Sequence, residues 1–382
     1  MKKIVAVLMV VMAVYGCREK YVSPFASTGT GLLVVEGFIA TGSGGITTIR
    51  LTRTTKLADS ANLYEKKAQV TIQTQGSTVV YALTEGANGV YTSAALSLPV
   101  TNKYRIRILT AANKEYLSDY VGGKLTPAID SIGFERNGGG DVVITSHSKG
   151  AQTTPYYFQW RSEQTWEIIS EYSTAFKFKF DNTNTAIGVE YWDPITFQLD
   201  NTIKRCWQFL NSSAVLIGST EGRSTNDVHE PMATITTNGI ELSVLYSINV
   251  KQYSLSKDAY RFLEKIKKNT EQLGSIFDAQ PSDLAGNIHA TSDPAEVVVG
   301  YLDATQEQSK RIFIRNSQLP GWNYKRKCPD EVTLPTSNRD TFKGYATDYY
   351  PIGLSSTSAI LAGRKCVVCT VSGSNVKPSY WP

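Results

Sequence analysis

The chain is dominated by short segments in which apolar and polar residues alternate. In the clearest of them, Tyr104, Ile106 and Ile108 alternate with three basic residues. A period of two places the apolar residues on one face of a β-strand. Similar segments, separated by Gly- and Asn-rich turns, lie at residues 47–52, 68–73 and 79–83. Short strands at this spacing predict an N-terminal immunoglobulin-like β-sandwich over residues 32–125.

The rest of the chain, residues 126–382, also favours strands, and we expect a larger, sandwich-like β-rich domain there. One segment departs from the pattern, because Ser256 suits a helix N-cap and an apolar face follows it at helical spacing. This predicts a helix inserted at residues 257–270. The predicted fold class is therefore mainly β with one prominent helix. Candidate strands lie at residues 142–145, 156–160, 176–180, 240–250, 297–301 and 311–314.

The first residues have the form of a secretion signal. Lys2 and Lys3 precede an apolar run over residues 4–15, and Gly16-Cys17 follows. The run is shorter than the ~20 residues that a membrane-spanning helix needs. Cys17 after a small residue resembles a bacterial lipobox. We expect a lipoprotein signal peptide at residues 1–16, fatty acylation of Cys17 and a flexible tether at residues 17–31. The alternative is an ordinary signal peptide cut near Cys17.

The net charge of the chain without its signal peptide indicates which partners are excluded, and the residue after Cys17 indicates in which membrane the protein lies. Without Lys2 and Lys3, 37 basic residues stand against 34 acidic ones, too small and dispersed an excess for a nucleic-acid footprint. No Asp follows Cys17, so the usual signal for retention in the inner membrane is missing. We expect a lipid anchor in the outer membrane, with the cell surface favoured over the periplasmic face.

Four cysteines remain beside Cys17, namely Cys206, Cys328, Cys366 and Cys369. An even number in an oxidising compartment predicts structural disulfides, and the sequence leaves three pairings open. Zinc binding and thiol redox chemistry at the C-x-x-C of Cys366 and Cys369 are the alternatives. Because Val367 and Val368 are β-branched, a strand or turn is expected there rather than a helix start.

Candidate catalytic chemistry is sparse. The sequence has no nucleophile elbow, no two-histidine zinc motif and no phosphate-binding glycine loop. His147, His229 and His289 are far apart in the sequence, and we expect each to be a surface residue or a hydrogen-bonded loop residue. We expect no catalytic residues, no metal site and no cofactor.

Aromatic residues are the remaining candidates for binding. Tyr349 and Tyr350 lie in a segment read as a loop, and Tyr380 and Trp381 lie near the C-terminus. Tyr and Trp offer stiff, amphipathic contact area for ligands and partners. The competing interpretation is that they pack in the core.

The order of motifs resembles an envelope lipoprotein family of Bacteroidota, domain of unknown function 4249. The matching stretches are Val34 to Ile39, Tyr156 to Ile168, Cys206-Trp207, Ser243 to Ile288, Val297 to Ile314 and Cys366 to Trp381. The resemblance implies a role beside TonB-dependent outer-membrane receptors and supplies no catalytic residues. We therefore expect a non-enzymatic accessory or binding subunit of such a receptor or of another outer-membrane β-barrel machine. The alternatives are a stand-alone surface lipoprotein that binds glycan or peptide and, less favoured, an envelope hydrolase or thiol oxidoreductase.

Overall fold

The computed structural model describes residues 31–55, 63–151, 154–271 and 285–382. The predicted signal peptide, Cys17 and the tether up to residue 30 lie outside the described residues. The first strands are β1 (Leu33–Ala40), β2 (Gly42–Gly45), β3 (Thr48–Arg53), β4 (Leu63–Tyr64), β5 (Gln69–Thr74), β6 (Val80–Glu85), β7 (Val90–Ser93), β8 (Leu96–Leu98), β9 (Lys103–Leu109), β10 (Glu115–Ser118) and β11 (Val121–Lys124).

Strands continue through the rest of the chain, with one long helix. The strands are β12 (Ser131–Arg136), β13 (Val142–Lys149), β14 (Tyr157–Ile169), β15 (Phe176–Phe180), β16 (Ala186–Tyr191), β17 (Arg205–Asn211), β18 (Leu216–Ser219), β19 (Asp227–Ile235), β20 (Leu245–Ser254), β21 (Ile288–Ala290), β22 (Ala304–Thr305), β23 (Glu307–Arg315), β24 (Val332–Pro335), β25 (Tyr349–Leu354) and β26 (Ser358–Gly363). The α-helices are α1 (Lys257–Glu271) and α2 (Arg364–Val367). Short 3-10 segments are Ala87–Gly89, Asn201–Ile203, Ile240–Leu242, Asn316–Gln318, Arg339–Phe342 and Cys369–Val371. The prediction of a mainly β fold with one prominent helix is confirmed.

The first region is a sheet that closes on itself. Its order runs β11-β22-β1-β3-β7-β6-β5-β9, and β9 pairs again with β11. The alternation at Tyr104, Ile106 and Ile108 is confirmed, because all three side chains are buried in the core of this sheet. The two faces of the predicted sandwich therefore belong to one continuous sheet.

Two short strands return to this first sheet from far along the chain. β21 pairs with β10, and β22 lies parallel between β1 and β11. Val298, Leu302 and Ala304 are buried in the same core. The range predicted for the second domain, 126–382, thus contains a segment that packs with residues 32–125.

The second region is a two-layer sandwich. A three-stranded sheet, β12-β13-β19, faces a larger sheet in the order β17-β14-β20-β23, with β18 beside β14. Ile144 from the first layer and Trp160 and Ile248 from the second are buried in one shared core. A third group, β24-β26-β25, packs with the β15–β16 hairpin around Phe178, Phe342 and Leu361.

Helix α1 lies where the two regions meet. The Ser256 hydroxyl accepts a hydrogen bond from the Ala259 N–H at 3.2 Å, as a helix N-cap does. Ala259 packs with Tyr157 of β14 and Phe38 of β1. The helix ends one residue beyond the predicted range of 257–270.

Three local predictions need correction. Residues 240–250 begin with a 3-10 turn and become a strand at Leu245, and residues 297–301 contain bridges at Val299 but no strand. The C-x-x-C was expected in a strand or turn, but Cys366 lies in α2 and Cys369 in a 3-10 turn. Burial of Val367 and Val368 in a local core outweighs their preference for strands.

Candidate functional site

A cavity of about 350 Å³ lies on the outer face of the larger sandwich sheet. We call it the tail cavity, because the C-terminal segment forms one of its walls. Its lining residues are Glu167, Arg205, Trp207, Leu245, Arg315, Lys377, Trp381 and Pro382. The strands supply the floor, because alternate residues of β14, β17, β20 and β23 point to the same face.

The C-terminal segment is held on this face by covalent and backbone bonds. The disulfide between Cys206 and Cys369 joins it to β17. Next to it, Trp207 and Ser374 exchange backbone hydrogen bonds of 2.8 and 2.9 Å. The segment therefore adds a short pairing to the free edge of β17 and carries Lys377 and Trp381 over the sheet.

Charge in the tail cavity is unbalanced. Glu167 is buried, and its Oε1 lies 3.2 Å from Nε of Arg205. Its Oε2 accepts a 3.4 Å hydrogen bond from the Trp381 indole N–H. Arg315 and Lys377 have no ion pair with any carboxylate of the described residues. Three cationic side chains thus share the cavity with one carboxylate side chain.

The aromatic walls of the cavity are perpendicular to each other. The rings of Trp207 and Trp381 are 6.4 Å apart at an angle of 77°, and Trp381 also packs edge-on against Phe313. The Trp207 Nε1–H is buried and has no acceptor among the described residues. Buried indole N–H groups usually have a partner.

Tyr380 lies beside the cavity on a network of polar side chains. The guanidinium of Arg311 is 3.8 Å from the centre of its ring, and its hydroxyl is 2.8 Å from that of Thr165. Arg311 in turn approaches Glu163, which is hydrogen-bonded to Lys251 at 2.6 Å. Burial alone would raise the pKa of Glu163, but the hydrogen bonds from Lys251 and Asn249 outweigh burial and lower it.

Tyr349 and Tyr350 are not part of the tail cavity. Both lie in strand β25, not in the loop that the sequence suggested, because β25 pairs with β26. Tyr349 contacts Tyr345 edge-on, and Tyr350 contacts Phe178 in the same way. Both side chains are half-buried, and burial raises the pKa of the Tyr350 hydroxyl.

The four cysteines form two disulfides, Cys206–Cys369 and Cys328–Cys366. The expectation of structural disulfides is confirmed, and the structure selects one of the three possible pairings. The two cysteines of the C-x-x-C have different partners, so they do not form a dithiol–disulfide couple with each other.

Two of the histidines, described above as far apart, are brought together by the fold. His147 of β13 and His229 of β19 are directly opposite in the sheet, with stacked rings 4.2 Å apart. His289 lies elsewhere, 3.4 Å from Asp119. Among the described residues, no three His, Cys, Asp or Glu side chains gather as metal ligands would.

An exposed apolar loop at residues 191–199 is a second candidate site, which sequence reasoning missed. Its large apolar side chains are exposed by 37–85%. They are Tyr191, Trp192, Ile195, Phe197 and Leu199. A usable signal was present, because Asp193-Pro194 predicts a turn at a point where apolar residues are unusually dense.

The apolar loop has a defined shape. The Asp193 carboxylate accepts hydrogen bonds from the backbone N–H groups of Ile195 and Thr196 at 2.9 and 3.2 Å. The hydrogen bond from the Thr196 hydroxyl, and after it these two backbone bonds, lower the pKa of Asp193. The Tyr191 and Phe197 rings meet edge-on at 4.7 Å. The turn therefore holds Ile195 in solvent instead of leaving it free to fold back.

None of the helices in the described ranges is long and apolar enough to cross a bilayer.

These features define a mainly β protein in which disulfides hold the C-terminal segment against a sandwich sheet. The chain belongs to the family described as domain of unknown function DUF4249, whose model matches residues 18–311. This confirms the resemblance to domain of unknown function 4249 within residues 18–311. Residues 312–382, which include Arg315, Lys377 and Trp381, lie beyond the matched range.

Other comparisons add no function. A search of the curated proteins gave no match. A presumed membrane-anchored protein from Corynebacterium diphtheriae is 9% identical, with a TM-score of 0.17, covering 59% of this chain and 55% of that one. Chitinase ChiA74 from Bacillus thuringiensis is 12% identical, with a TM-score of 0.16, covering 54% of this chain and 28% of that one. The chain spans about half the length of the first of these structures and less of the second.

Proposed function

We propose that this protein is a non-enzymatic outer-membrane lipoprotein, anchored through Cys17. It acts as an accessory or binding subunit of a TonB-dependent receptor or another outer-membrane β-barrel machine. The observation that carries the proposal is the apolar loop, residues 191–199. A contiguous patch of exposed large apolar side chains is typical of a surface that contacts another protein.

The lipid anchor and the loop support each other in this proposal. Acyl chains on Cys17 confine the protein to the membrane plane and raise its effective concentration near a barrel embedded there. The Asp193 turn presents Ile195 and Phe197 in a fixed arrangement, so little conformational entropy is lost on docking. Trp192 and Tyr191 add aromatic area of the kind that dominates binding energy at interfaces.

The test compares two double variants in cells that make the full chain. Ile195→Ser with Phe197→Ser removes two exposed anchors of the loop. Val79→Ser with Val80→Ser removes two exposed apolar residues at the start of β6 and serves as the control. After cross-linking and extraction in mild detergent, a barrel partner is recognised by its heat-dependent migration on gels and identified by mass spectrometry.

We expect the wild type and the control to recover the same barrel, and the loop variant to lose most of it. Equal recovery by all three proteins would remove the loop from the interface. Repeated recovery of the protein without a barrel would overturn the accessory role. Mass spectrometry of the mature wild type should find acyl chains on Cys17, and a mature N-terminus without them would contradict anchoring through Cys17.

The tail cavity favours a second candidate function, that of a surface lipoprotein that binds glycan or peptide on its own. Glycan or peptide binding that persists in the loop variant would support this candidate. The two candidates are compatible, because the cavity and the apolar loop share no residues.

A further inference from the structure

We propose that His147 and His229 form a surface site for a divalent transition metal ion, and that Cu²⁺ binds there more tightly than Ni²⁺ or Zn²⁺. The two imidazoles are the protein ligands of this site, so water or a donor from another molecule holds the remaining coordination positions. The site shares no residue with the tail cavity or the apolar loop.

The smaller sandwich sheet brings the two histidines to one point of its outer face. His147 of β13 lies directly opposite His229 of β19. Ser146, Ser148 and Val228, which flank them in the two strands, are buried, so alternation directs both imidazoles to the outer face. His229 is exposed and His147 is partly exposed, so an ion reaches both from solvent.

The distance between the two rings suits a shared ion. Their centres are 4.2 Å apart, and their planes differ by 19°. Two metal–nitrogen bonds of about 2.0–2.1 Å place the nitrogens on one ion roughly 3–4 Å apart. In the stacked arrangement the ring edges point side by side, so the rings must turn about their Cβ–Cγ bonds to bind one ion. This torsion is soft in histidine.

The imidazole nitrogens are free in the part of the chain that the structure describes. Neither side chain has a hydrogen bond or an ion pair there. The groups directly beside the pair do not repel a cation, because the charges of Lys149 and Asp227 cancel, and Thr145, Pro231 and Ser131 are uncharged. Both imidazoles are therefore available as ligands.

The donor atoms determine which ions fit. Imidazole suits Cu²⁺, Ni²⁺ and Zn²⁺, whereas Ca²⁺ and Mg²⁺ prefer oxygen ligands. The affinity of a nitrogen site for these ions is greatest for Cu²⁺. Thiolates do not compete, because Cys206, Cys328, Cys366 and Cys369 are all in disulfides. Once one imidazole has bound, the second binds within the same molecule, which raises the affinity above that of a single histidine.

Cu²⁺ is the probe, because its EPR spectrum reports its ligands. Less than one equivalent is added to the mature protein, and pulsed EPR counts the bound imidazoles. We expect two. The chain has three histidines, and His289 lies in β21 of the first sheet. Two imidazoles from one molecule on one ion therefore identify the pair of His147 and His229.

Variants connect the binding to these residues. His147→Gln and His229→Gln should each give a one-imidazole spectrum and weaken Cu²⁺ binding about tenfold or more in calorimetry. His289→Gln removes the histidine beside Asp119 and should change neither result, so it is the matched control. Ni²⁺ and Zn²⁺ in excess should displace Cu²⁺, whereas Ca²⁺ and Mg²⁺ should not. Unfolding midpoints check that the three variants keep the native fold.

A one-imidazole spectrum for the wild type would overturn the proposal, and so would a dissociation constant for Cu²⁺ above about 100 µM. Equal weakening by His289→Gln would also overturn it, because Cu²⁺ would then bind the histidines singly. Displacement of Cu²⁺ by Ca²⁺ would show that carboxylates and not imidazoles hold the ion. Tighter binding of Zn²⁺ than of Cu²⁺ would reject the stated preference.

Discussion

At the scale of single residues, Gln252 joins three parts of the second region through one buried amide. Its Oε1 accepts hydrogen bonds from the Ser148 hydroxyl and the Trp160 indole, each at 2.7 Å. Its Nε2 donates to the Pro127 carbonyl at 2.9 Å.

Gln252→Leu would keep about the same side-chain volume but would leave these hydrogen-bonding partners buried and unsatisfied. We expect the free energy of unfolding to fall by about 3 kcal/mol or more in urea titrations. Gln75→Leu, at an exposed position, should change it by less than about 0.5 kcal/mol, and a similar loss there would contradict the assignment.

Gly37 shows how closely two strands approach in the first sheet. Its φ of +143° is rarely adopted by other residues, and a Cβ there would lie 2.3 Å from the Thr48 carbonyl oxygen. We expect Gly37→Ala to lower the free energy of unfolding by at least about 2 kcal/mol. A Cβ at Gly122 has nothing within 4 Å, so Gly122→Ala is the matched control. Thermal unfolding of both variants is the measurement, and equal midpoints would show that the approach at Gly37 is not needed.

Glu163 gives a pH dependence with a definite sign. The pKa of its carboxyl is lower in the folded protein than its ordinary value, since the bonds from Lys251 and Asn249 outweigh the effect of burial. A lowered pKa stabilises the folded state above the ordinary value of about 4.3, and this stabilisation is lost as pH falls through the folded-state pKa. The side chain is 41% exposed, so solvent screening keeps the effect near 0.5 kcal/mol or less.

The check is a comparison of urea unfolding at pH 7 and at pH 3. We expect Glu163→Gln to be less stable than the wild type at pH 7, and we expect this difference to be smaller at pH 3. Glu135→Gln changes an exposed carboxylate with no ion pair in the described residues, and its difference from the wild type should be the same at both pH values. A larger loss for Glu163→Gln at pH 3 than at pH 7 would reverse the sign and reject the assignment.

At the scale of elements, the N-terminus of α1 connects the helix to both sheet regions. The Ser256 hydroxyl caps the helix, and the Ser256 N–H donates to the buried Asp303 carboxylate at 2.6 Å. Asp303 also pairs with Lys124 at 2.5 Å. Ser256→Ala removes the cap together with the hydrogen bond between the Ser256 and Tyr301 side chains, and we expect a loss of about 1 kcal/mol or more in unfolding free energy. Ser309→Ala on the exposed side of β23 should be neutral, and equal effects would mean that Ser256 does not cap the helix.

Elements with a strong local pattern were predictable from the sequence, and elements that depend on distant partners were not. The alternation in β9 and the cap and apolar face of α1 are local, and the structure contains both. β22 has only two residues, and its pairing with β1 spans more than 260 positions along the chain. No local period indicates such a strand, because its stability comes from the partners on either side.

The tail cavity was predictable only in part, for the same reason. Aromatic density at the C-terminus pointed to Tyr380 and Trp381, and Trp381 does line the cavity. Arg205 and Arg315 had no distinguishing pattern, because they become neighbours only when β17 and β23 enter the same sheet and the C-terminal segment crosses it. Counting cysteines predicted disulfides, but the choice of pairing needed the fold.

At the scale of the whole molecule, the two disulfides hold the last part of the chain. Cys206–Cys369 spans 163 positions and ties the C-terminal segment to β17, whereas Cys328–Cys366 spans 38. Both close long loops of the unfolded chain, and native disulfides of this kind typically contribute about 2–5 kcal/mol. The walls of the tail cavity depend on the first of them, because Lys377 and Trp381 lie in the segment that Cys369 joins to β17.

The pairing can be tested on the unreduced protein by digestion and mass spectrometry. Trypsin leaves Cys366 and Cys369 on one peptide, because no Lys or Arg lies between them. The structure predicts that this peptide is joined to the peptides of both Cys206 and Cys328, as a single three-peptide species that disappears on reduction. A bond between Cys366 and Cys369 would instead leave the other two peptides joined only to each other.

A second cleavage at Val367-Val368 distinguishes the two remaining pairings, and we expect Cys206 to be recovered with Cys369. Recovery of Cys206 with Cys366 would mean that the C-terminal segment crosses the sheet differently and that the tail cavity is not formed as described.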